Sequence, residues 1–442
     1  MTDPAPRVPG GHPITGHLAF FGRDPLPFVQ HAEALGGVVR FRLFVKRGFL
    51  VSDPAAVRRV LVDHVASYQK HTRGYLKLRL LLGEGLVTSE GDFWLRQRRI
   101  AQPAFARHRL AMFTTPIAGA TADLVARWGA GGELDVAEAM NLLALRIAGE
   151  TLLGEDVTAE AATIGSSMLT VLHHFPRLVS APVPWPERWP GAANRQFWQA
   201  VKALHAVVDG VIQDRRSQPE TGEDLLGMLM AARDPETGEG MSDRQLRDEA
   251  LTMMLAGHET TANALAWTLH LLADHPDIQR RAAAEARAAQ PEAGPADLAQ
   301  VPDLKQIFQE ALRLYPPVWL LARYAMADDT LAGVAIPRGS YLFVSPWAIH
   351  RSPRHWPEPE RFDPERFAAD RPPPDRSVYL PFSRGRRQCI GDRFAEMEAL
   401  LVLAALLSRF EFAPVPGQQV HPEPSVTLRP RGGLRLRVRP RP

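Results

Sequence analysis

Residues 381–391 read Pro381-Phe382-Ser383-Arg384-Gly385-Arg386-Arg387-Gln388-Cys389-Ile390-Gly391, and an apolar, helix-like run follows to Phe410. Cys389 is the only cysteine in 442 residues, which excludes an intrachain disulfide and a Cys-rich zinc site. Gly385 and Gly391 allow a sharp turn and a close approach of backbone to a flat ligand, with Phe382 to cover one side. Arg384, Arg386 and Arg387 add positive potential, and a helix starting near Ile390 directs free backbone N–H groups toward the sulfur. Both features favour a thiolate.

The stretch matches F-x-x-G-x-R-x-C-x-G at every fixed position and resembles the cysteine loop of the cytochrome P450 superfamily. The resemblance implies that Cys389 is the axial ligand of a haem iron, with Phe382, Arg387 and Gly391 around the porphyrin. Cysteinate ligation favours O–O cleavage, so the loop implies oxygen activation and not oxygen storage.

Composition sets the outer bounds. With 45% hydrophobic and 23% charged residues, the chain has the make-up of an ordinary globular protein with ample core. It carries no apolar run of 18 residues, and Met1 to Pro13 lacks a basic-apolar-small signal layout. A soluble cytoplasmic protein without a transmembrane anchor is expected. The net charge of +3 is slight, and no basic run is interleaved with stacking aromatics, which argues against a nucleic-acid partner.

Working toward the N-terminus, Phe362-Asp363-Pro364-Glu365-Arg366-Phe367 resembles the family's F-x-P-E-R-F segment, and Glu310-Ala311-Leu312-Arg313 its E-x-x-R. The resemblance implies a buried network of Glu310, Arg313 and Arg366 behind the cysteine loop. Between these motifs Val318, Trp319 and Leu320 are expected to line the cavity, and Arg323 stands where the family has a propionate ligand. Ala256-Gly257-His258-Glu259-Thr260-Thr261 lies midway in a helix expected from Ser242 to about Asp274, and resembles A-G-x-[DE]-T-T. Small Ala256 leaves room for a ligand, Glu259 and Thr260 form the family's proton-relaying acid–alcohol pair, and His258 reads as a spacer. A hydroxyl bonding back to the i−4 carbonyl would open the helix there. Trp94 and Arg98 share a helix face and resemble the family's W-x-x-x-R, which implies binding of a haem propionate. Arg96 and Arg99, with Arg384, Arg386 and Arg393, make a candidate basic patch for a redox partner.

The remaining stretches suggest the pocket and the sheet. The apolar run from Ser67 to Gly91 reads as an irregular roofing loop with Tyr75, Leu76 and Leu81 over the substrate. Helical patterns cover 116–128, 135–153, 158–174 and 194–216, broken by Pro182-Val183-Pro184-Trp185-Pro186, and resemble a mobile lid with Met168, Leu172 and Phe175 inside. Leu255 joins this pocket list. His173 and His174 face different ways on a helix and read as structural. Strands are expected at Val38–Val45 and Phe49–Val51 turning at Lys46-Arg47-Gly48, at Thr330–Ile336 and Tyr341–Ser345 turning at Pro337-Arg338-Gly339, and as a closing hairpin of Ser425–Leu428 with Leu434–Val438.

The resemblance extends from about residue 6 to 438 and implies one mainly helical domain over 1–442, a helix-rich lobe and a smaller β-rich lobe enclosing haem b. It implies a monooxygenase that hydroxylates a C–H bond using O2, with electrons from a separate ferredoxin or flavodoxin and its NAD(P)H reductase. An apolar wall suggests a terpenoid, carotenoid or fatty acid, while Arg73 and Arg79 in the roof leave a carboxylate-bearing substrate open. Two alternatives stay open: a peroxide-driven haem-thiolate oxygenase, and a non-catalytic haem-binding sensor.

Overall fold

The structure, a computed structural model, describes residues 5–154, 158–181, 186–217, 224–289 and 297–441. It opens with helices α1 (Leu18–Arg23) and α2 (Pro25–Leu35), strands β1 (Val38–Leu43) and β2 (Lys46–Val51), helix α3 (Pro54–Arg58) and strand β3 (Tyr68–Gln69). Helices then dominate: α4 (Arg73–Leu82), α5 (Gly91–Ala101), α6 (Arg107–Leu110) and α7 (Thr114–Trp128) precede strand β4 (Gly132–Asp135). After it come α8 (Val136–Ala148), α9 (Thr158–Ser180), α10 (Ala192–Ser217), α11 (Leu225–Ala231), α12 (Asp243–Asp274), α13 (Pro276–Ala288) and α14 (Pro302–Leu314). The C-terminal third adds β5 (Leu321–Ala325), β6 (Asp329–Leu331), β7 (Val334–Ile336), β8 (Tyr341–Val344) and α15 (Pro346–Ile349). It closes with α16 (Asp392–Arg409), β9 (Phe410–Pro414), β10 (Pro422–Pro424), β11 (Leu428–Pro430) and β12 (Arg435–Pro440). The chain is mainly α with a smaller β part, as expected.

Local chemistry accounts for the main boundaries. Ser242 caps α12 and Gln245 reaches back to it, a capping box that satisfies two otherwise orphan N–H groups. Asp53, Asp135 and Asp224 cap α3, α8 and α11 by accepting one backbone N–H each. At 32 residues α12 is about 48 Å long. One apolar core packs its C-terminal half against α7, α8, α13, α14 and α16, and a second packs its N-terminal half against α4, α5, α9, α10 and α11.

The sheets depart from the expected turns in three places. The β1–β2 hairpin turns at Phe44-Val45, because Leu43 pairs with Lys46 and Phe44 takes φ 53. Gly48 is required for a different reason: a Cβ there would stand 2.6 Å from the Phe41 ring. In the second case β6 and β7 form their own hairpin through Ala332 and Gly333, both at positive φ, while β8 lies between β2 and β5 in a sheet of order β1-β2-β8-β5-β3. In the third, β11 pairs antiparallel with β10, whereas β12 pairs with β4 and β9, so the expected hairpin of Ser425–Leu428 with Leu434–Val438 does not form.

The expected roofing loop is also different: residues 73–82 are helix α4, ended by Gly83 at φ 53. Two consecutive acids of α12 hold the turn that follows. Asp248 accepts from the Glu84 N–H at 3.0 Å and Glu249 from the Leu86 N–H at 3.0 Å. A Cβ at Gly85 would lie 2.0 Å from Thr252 Oγ1, so the turn approaches α12 as only glycine can. Burial pushes the Glu249 carboxyl up to about 8, only partly opposed by its backbone bond, and its second oxygen has no partner. The folded protein therefore binds this proton more tightly than the unfolded chain. The stability it contributes is full near pH 4 and is lost as the pH rises to about 8. Glu249→Gln should gain on the parent by about 1 kcal/mol per pH unit between roughly pH 5 and 8, then level off. Thermal unfolding across that range measures it, and parallel pH profiles would contradict the assignment.

Candidate active site

Cys389 N–H donates to the Phe382 carbonyl at 3.0 Å and Gln388 N–H to Gly385 at 3.0 Å, which folds residues 382–389 into a tight loop before α16. Gly385, at φ 74, is needed because a Cβ would sit 2.3 Å from the Leu61 carbonyl oxygen. Close packing on the chain itself, and not on a ligand, fixes this glycine. Cys389 is exposed to a cavity of ≈ 1050 Å³ that it helps to line.

The expected thiolate is not favoured by the loop. Burial pushes the Cys389 thiol up to about 11, Asp392 adds to the rise, and the Gly391 N–H and the Arg98 charge only partly oppose it. The arginines expected to help are engaged elsewhere. Arg384 binds Ser377 and approaches Asp375, Arg387 pairs with Glu90, and Arg386 is exposed. A sulfur in this setting would release its proton on coordinating a cation, since its surroundings alone do not favour the thiolate.

Beside the sulfur lies a compact cationic group. The Arg387 guanidinium stacks on the Trp94 ring at 3.8 Å, donates to the Ser89 carbonyl at 2.9 Å and pairs with Glu90. Arg98 donates to the Gln388 carbonyl at 3.2 Å. Lys70, absent from the sequence reading, donates to the Val87 carbonyl at 2.9 Å, and its ammonium lies over the Tyr75 ring. Burial, then the charges of Arg387 and Arg323, hold the Lys70 ammonium far below its usual pKa. Arg323 is buried beside this group but is not part of the described cavity wall. Arg387 and Glu90 thus form an ion pair, with Lys70 beside them and Arg98 and Arg323 near enough to act on Lys70. A haem, with two propionates at one edge and an iron able to take a thiolate, fits this donor set.

α12 forms the opposite wall through Ala256, Gly257, Thr260 and Thr261. Thr260 Oγ1 donates to the Ala256 carbonyl at 2.5 Å, the i−4 bond expected from the sequence. Glu259, one residue earlier and about 100° around the helix, does not line the described cavity. It is buried against the C-terminal segment, where burial raises its pKa, and Thr427 and the Arg429 charge oppose the rise. Asn263 and Trp267 continue its stripe, donating to Thr427 Oγ1 and the Leu428 carbonyl at 3.0 Å each. His258 bonds Asn141 at 2.5 Å and is a packing residue. A second acid–alcohol pair went unread: Glu398 of α16 reaches the cavity beside Thr261, and burial lifts its carboxyl to about 8. Its signal was a glutamate inside the apolar run after Cys389.

Behind the loop, Glu310 and Arg313 are fully buried and joined by two bonds of 2.7 and 2.8 Å. Arg313 also donates to the carbonyls of His350, Pro359 and Arg361, and Glu310 accepts from the Asp363 N–H at 2.9 Å. Arg366 stands 3.4 Å from Glu310.

The wall residues divide. Tyr75, Phe175, Val318, Trp319 and Leu320 line the cavity. Leu81, Met168, Leu172 and Leu255 do not, because they pack into the core between helices, and Leu76 points outward instead. Residues 182–185 of the expected lid turn lie outside the described residues. His173 is exposed, His174 bonds the Thr170 carbonyl, and no cluster of three metal-binding side chains occurs among the described residues.

Comparison with known proteins gives one consistent picture. A family model described as Cytochrome P450 matches residues 6–436. The chain is 36% identical over 423 residues to cyclooctat-9-en-7-ol 5-monooxygenase of Streptomyces melanosporofaciens, covering 93% of this chain and 90% of that one. It is 34% identical over 435 residues to pentalenene oxygenase of Streptomyces avermitilis, covering 98% and 96%. Among solved structures, the cytochrome P450DA heme domain aligns with a TM-score of 0.89 at 29% identity, over 100% of this chain and 99% of that one. Retinoic acid bound cyanobacterial CYP120A1 aligns with a TM-score of 0.89 at 28% identity over the whole of both chains.

Removing one member of the buried ion network isolates the others. Arg313→Met should cost about 3–5 kcal/mol, since buried Glu310 loses its two-bond partner and three carbonyls lose their donor. Denaturant unfolding measures the loss, and a variant within 1 kcal/mol of the parent would contradict the network's role.

Proposed function

The chain belongs to the cytochrome P450 family and is a haem-iron monooxygenase, and on that premise we propose that it hydroxylates a C–H bond of a large apolar molecule of the terpenoid, carotenoid or fatty-acid kind. The observation that carries this reading is the cavity itself: one sulfur at its floor and walls of Phe, Leu, Val and Trp above it. Apolar walls of this extent recognise substrate by burial and shape, with few polar groups to orient it. The relatives named for oxidation of cyclooctat-9-en-7-ol and pentalenene support a terpenoid first.

The haem, when bound, supplies the reduction of dioxygen and the transfer of one oxygen atom. Cys389 is the proposed axial ligand, with Phe382 and Gly391 flanking it and Ala256 leaving space on the other side. Trp94, Arg98, Arg323, Arg387 and Lys70 are the proposed propionate holders, and Glu90 keeps Arg387 in place. Haem b is the proposed form, because the chain has no second cysteine for a thioether link. Thr260 is proposed to hold a proton at Oγ1 on the cavity side, with the Glu259 carboxyl, off the cavity wall and kept toward its protonated form by burial, as a source that reaches it through water and not by direct contact.

No helix of the described residues is long and apolar enough to cross a membrane, and we place the enzyme in the cytoplasm as one domain over 1–442. A ferredoxin or flavodoxin with its NAD(P)H reductase is the proposed electron source. Its docking face needs revision from the sequence reading, since Arg96 and Arg99 are tied to the acidic segment Asp234 to Glu239. Arg386 and Arg393 remain exposed near the loop.

The reduced protein with carbon monoxide should give the thiolate-ligated haem spectrum, and apolar terpenoids should displace the iron's water and shift its spin state. Thr260→Ala should keep haem and spectrum while product formation drops on the order of 100-fold, with electrons leaving as hydrogen peroxide. Unchanged coupling in that variant would remove Thr260 from proton delivery. A normal spectrum without NAD(P)H-dependent turnover would instead favour a sensor.

A further inference from the structure

Glu90 stands at the N-cap of α5 but does not cap it, since its side chain makes no bond to the first turn of that helix. The carboxylate is turned the other way. Oε2 pairs with the Arg387 guanidinium, and Oε1 accepts the Lys70 N–H at 2.7 Å. One acid thus ties together three segments that each send a residue to the cavity wall: Lys70 after β3, Trp94 of α5 and Arg387 of the cysteine loop. Both Nη atoms of Arg387 are taken, one by Glu90 and one by the Ser89 carbonyl at 2.9 Å, while the guanidinium lies over the Trp94 ring.

Holding the guanidinium does not by itself require a charge. A glutamine at this position would offer the same kind of oxygen to Arg387 and to the Lys70 N–H, whereas a carboxylate 18% exposed against an arginine 6% exposed must desolvate both ions. The use of the charge is seen in its neighbours. Arg387, Arg323 and Arg98 all act on the Lys70 ammonium, and Glu90 is the acid that opposes them. Asp392, the other acid nearby, acts on Arg98 and on Cys389, at the sulfur end. The four cations among the proposed propionate holders outnumber the two negative charges that a haem brings, and Glu90 offsets part of that excess.

We propose that Glu90 is a positioning residue with two effects on the haem: it holds Arg387 in place for a propionate, and its negative charge makes reduction of the iron less favourable. The inference rests on the haem-thiolate reading above. A fixed negative charge at the propionate edge opposes the arrival of an electron, and its reach is greater in a site walled by protein than it would be in water.

Titration of the one-electron reduction of the haem-loaded protein against the dye safranin tests the charge. Glu90→Gln removes the charge and keeps an acceptor oxygen. It should raise the equilibrium constant for reduction about fivefold, while the ferrous–CO spectrum stays that of a thiolate-ligated haem. Glu90→Asp keeps the charge and should stay within about twofold of the parent. Glu133→Gln, which removes an exposed acid of β4 paired with Arg435, should leave reduction unchanged and so separates local charge from net charge. Transfer of haem to apomyoglobin tests the positioning: Glu90→Ala, which takes a charged partner from Arg387, should release haem about tenfold faster. Equal reduction of Glu90→Gln and the parent would overturn the proposal, as would a comparable shift in Glu90→Asp or Glu133→Gln. So would unchanged or slower haem release from Glu90→Ala, the slower case making Glu90 a competitor of the propionate. A parent protein whose haem lacks the thiolate spectrum would overturn the haem-thiolate reading itself, and this inference with it.

Discussion

A helix buried along most of its length can carry polar side chains only where each finds a partner on its own side, and α12 obeys this constraint at nearly every turn. Asp248 and Glu249 bond the backbone after α4, His258 bonds Asn141 of α8, Thr260 and Thr268 bond back to α12 itself, and Asn263 and Trp267 bond Thr427 and Leu428 at the start of β11. Each of these contacts fixes a different neighbour to one axis. Roof, floor and C-terminal wall of the cavity are therefore positioned by a single element, and an unpartnered polar group on it would cost about 1–3 kcal/mol. The exceptions are informative. Arg247 Nε, His258 Nδ1, one oxygen each of Glu249 and Glu259 and the hydroxyls of Thr252 and Thr261 lack hydrogen-bond partners, and of these Thr252 and Thr261 line the cavity.

Charge at the cysteine end follows a complementary logic. Cys389 opens onto the cavity with protein packed around it, while Arg387 pairs with Glu90 and stands with Lys70 a short distance away. The separation suits a haem, whose negative edge and positive centre are apart. Had the arginines of the loop faced the sulfur, they would have stabilised a thiolate in the empty protein and left the propionate edge without counter-charge. Arg384 and Arg387 instead serve Ser377 and Glu90, so a cation bound by the sulfur would be what sets its charge.

Legibility from sequence tracked how local each cause was. The motif residues Trp94, Arg98, Ala256, Thr260, Phe382 and Cys389 all reach one cavity, and Glu310, Arg313 and Arg366 meet behind it. These positions were readable because their spacing is carried by single helices or one loop. The missed features depend on what lies opposite. Gly48 looked like a turn glycine, but the Phe41 ring across the hairpin decides it. Leu81, Met168, Leu172 and Leu255 have the right chemistry for a pocket wall, and which face of each helix meets another helix put them in the core. Lys70 had no motif around it; only folding brings it to Arg387 and Glu90. Glu259 and Thr260 read as a pair because they are adjacent, although adjacency on a helix separates side chains by more than a quarter turn.

That divergence ties the proposed proton source to the substrate wall. Pro424, Ser425 and Val426 line the cavity, and the next residue, Thr427, is the one that Glu259 and Asn263 contact. A substrate seated against Val426 thus presses on backbone one residue from the buried acid. The segment has little freedom to yield: Trp319 Nε1 holds the Ser425 carbonyl at 3.0 Å, Trp267 holds the Leu428 carbonyl, and the Trp267 ring stacks on Tyr315 at 4.0 Å. Leu428 N–H is bonded in turn to Pro317, and Arg429 to Glu423 at 2.7 Å. A wall pinned from both ends selects by shape, because a poor fit cannot be absorbed by moving the segment and must be absorbed by the ligand. The same pins hold Thr427 against α12, so the bonding of Glu259 is set by the fold before any substrate enters.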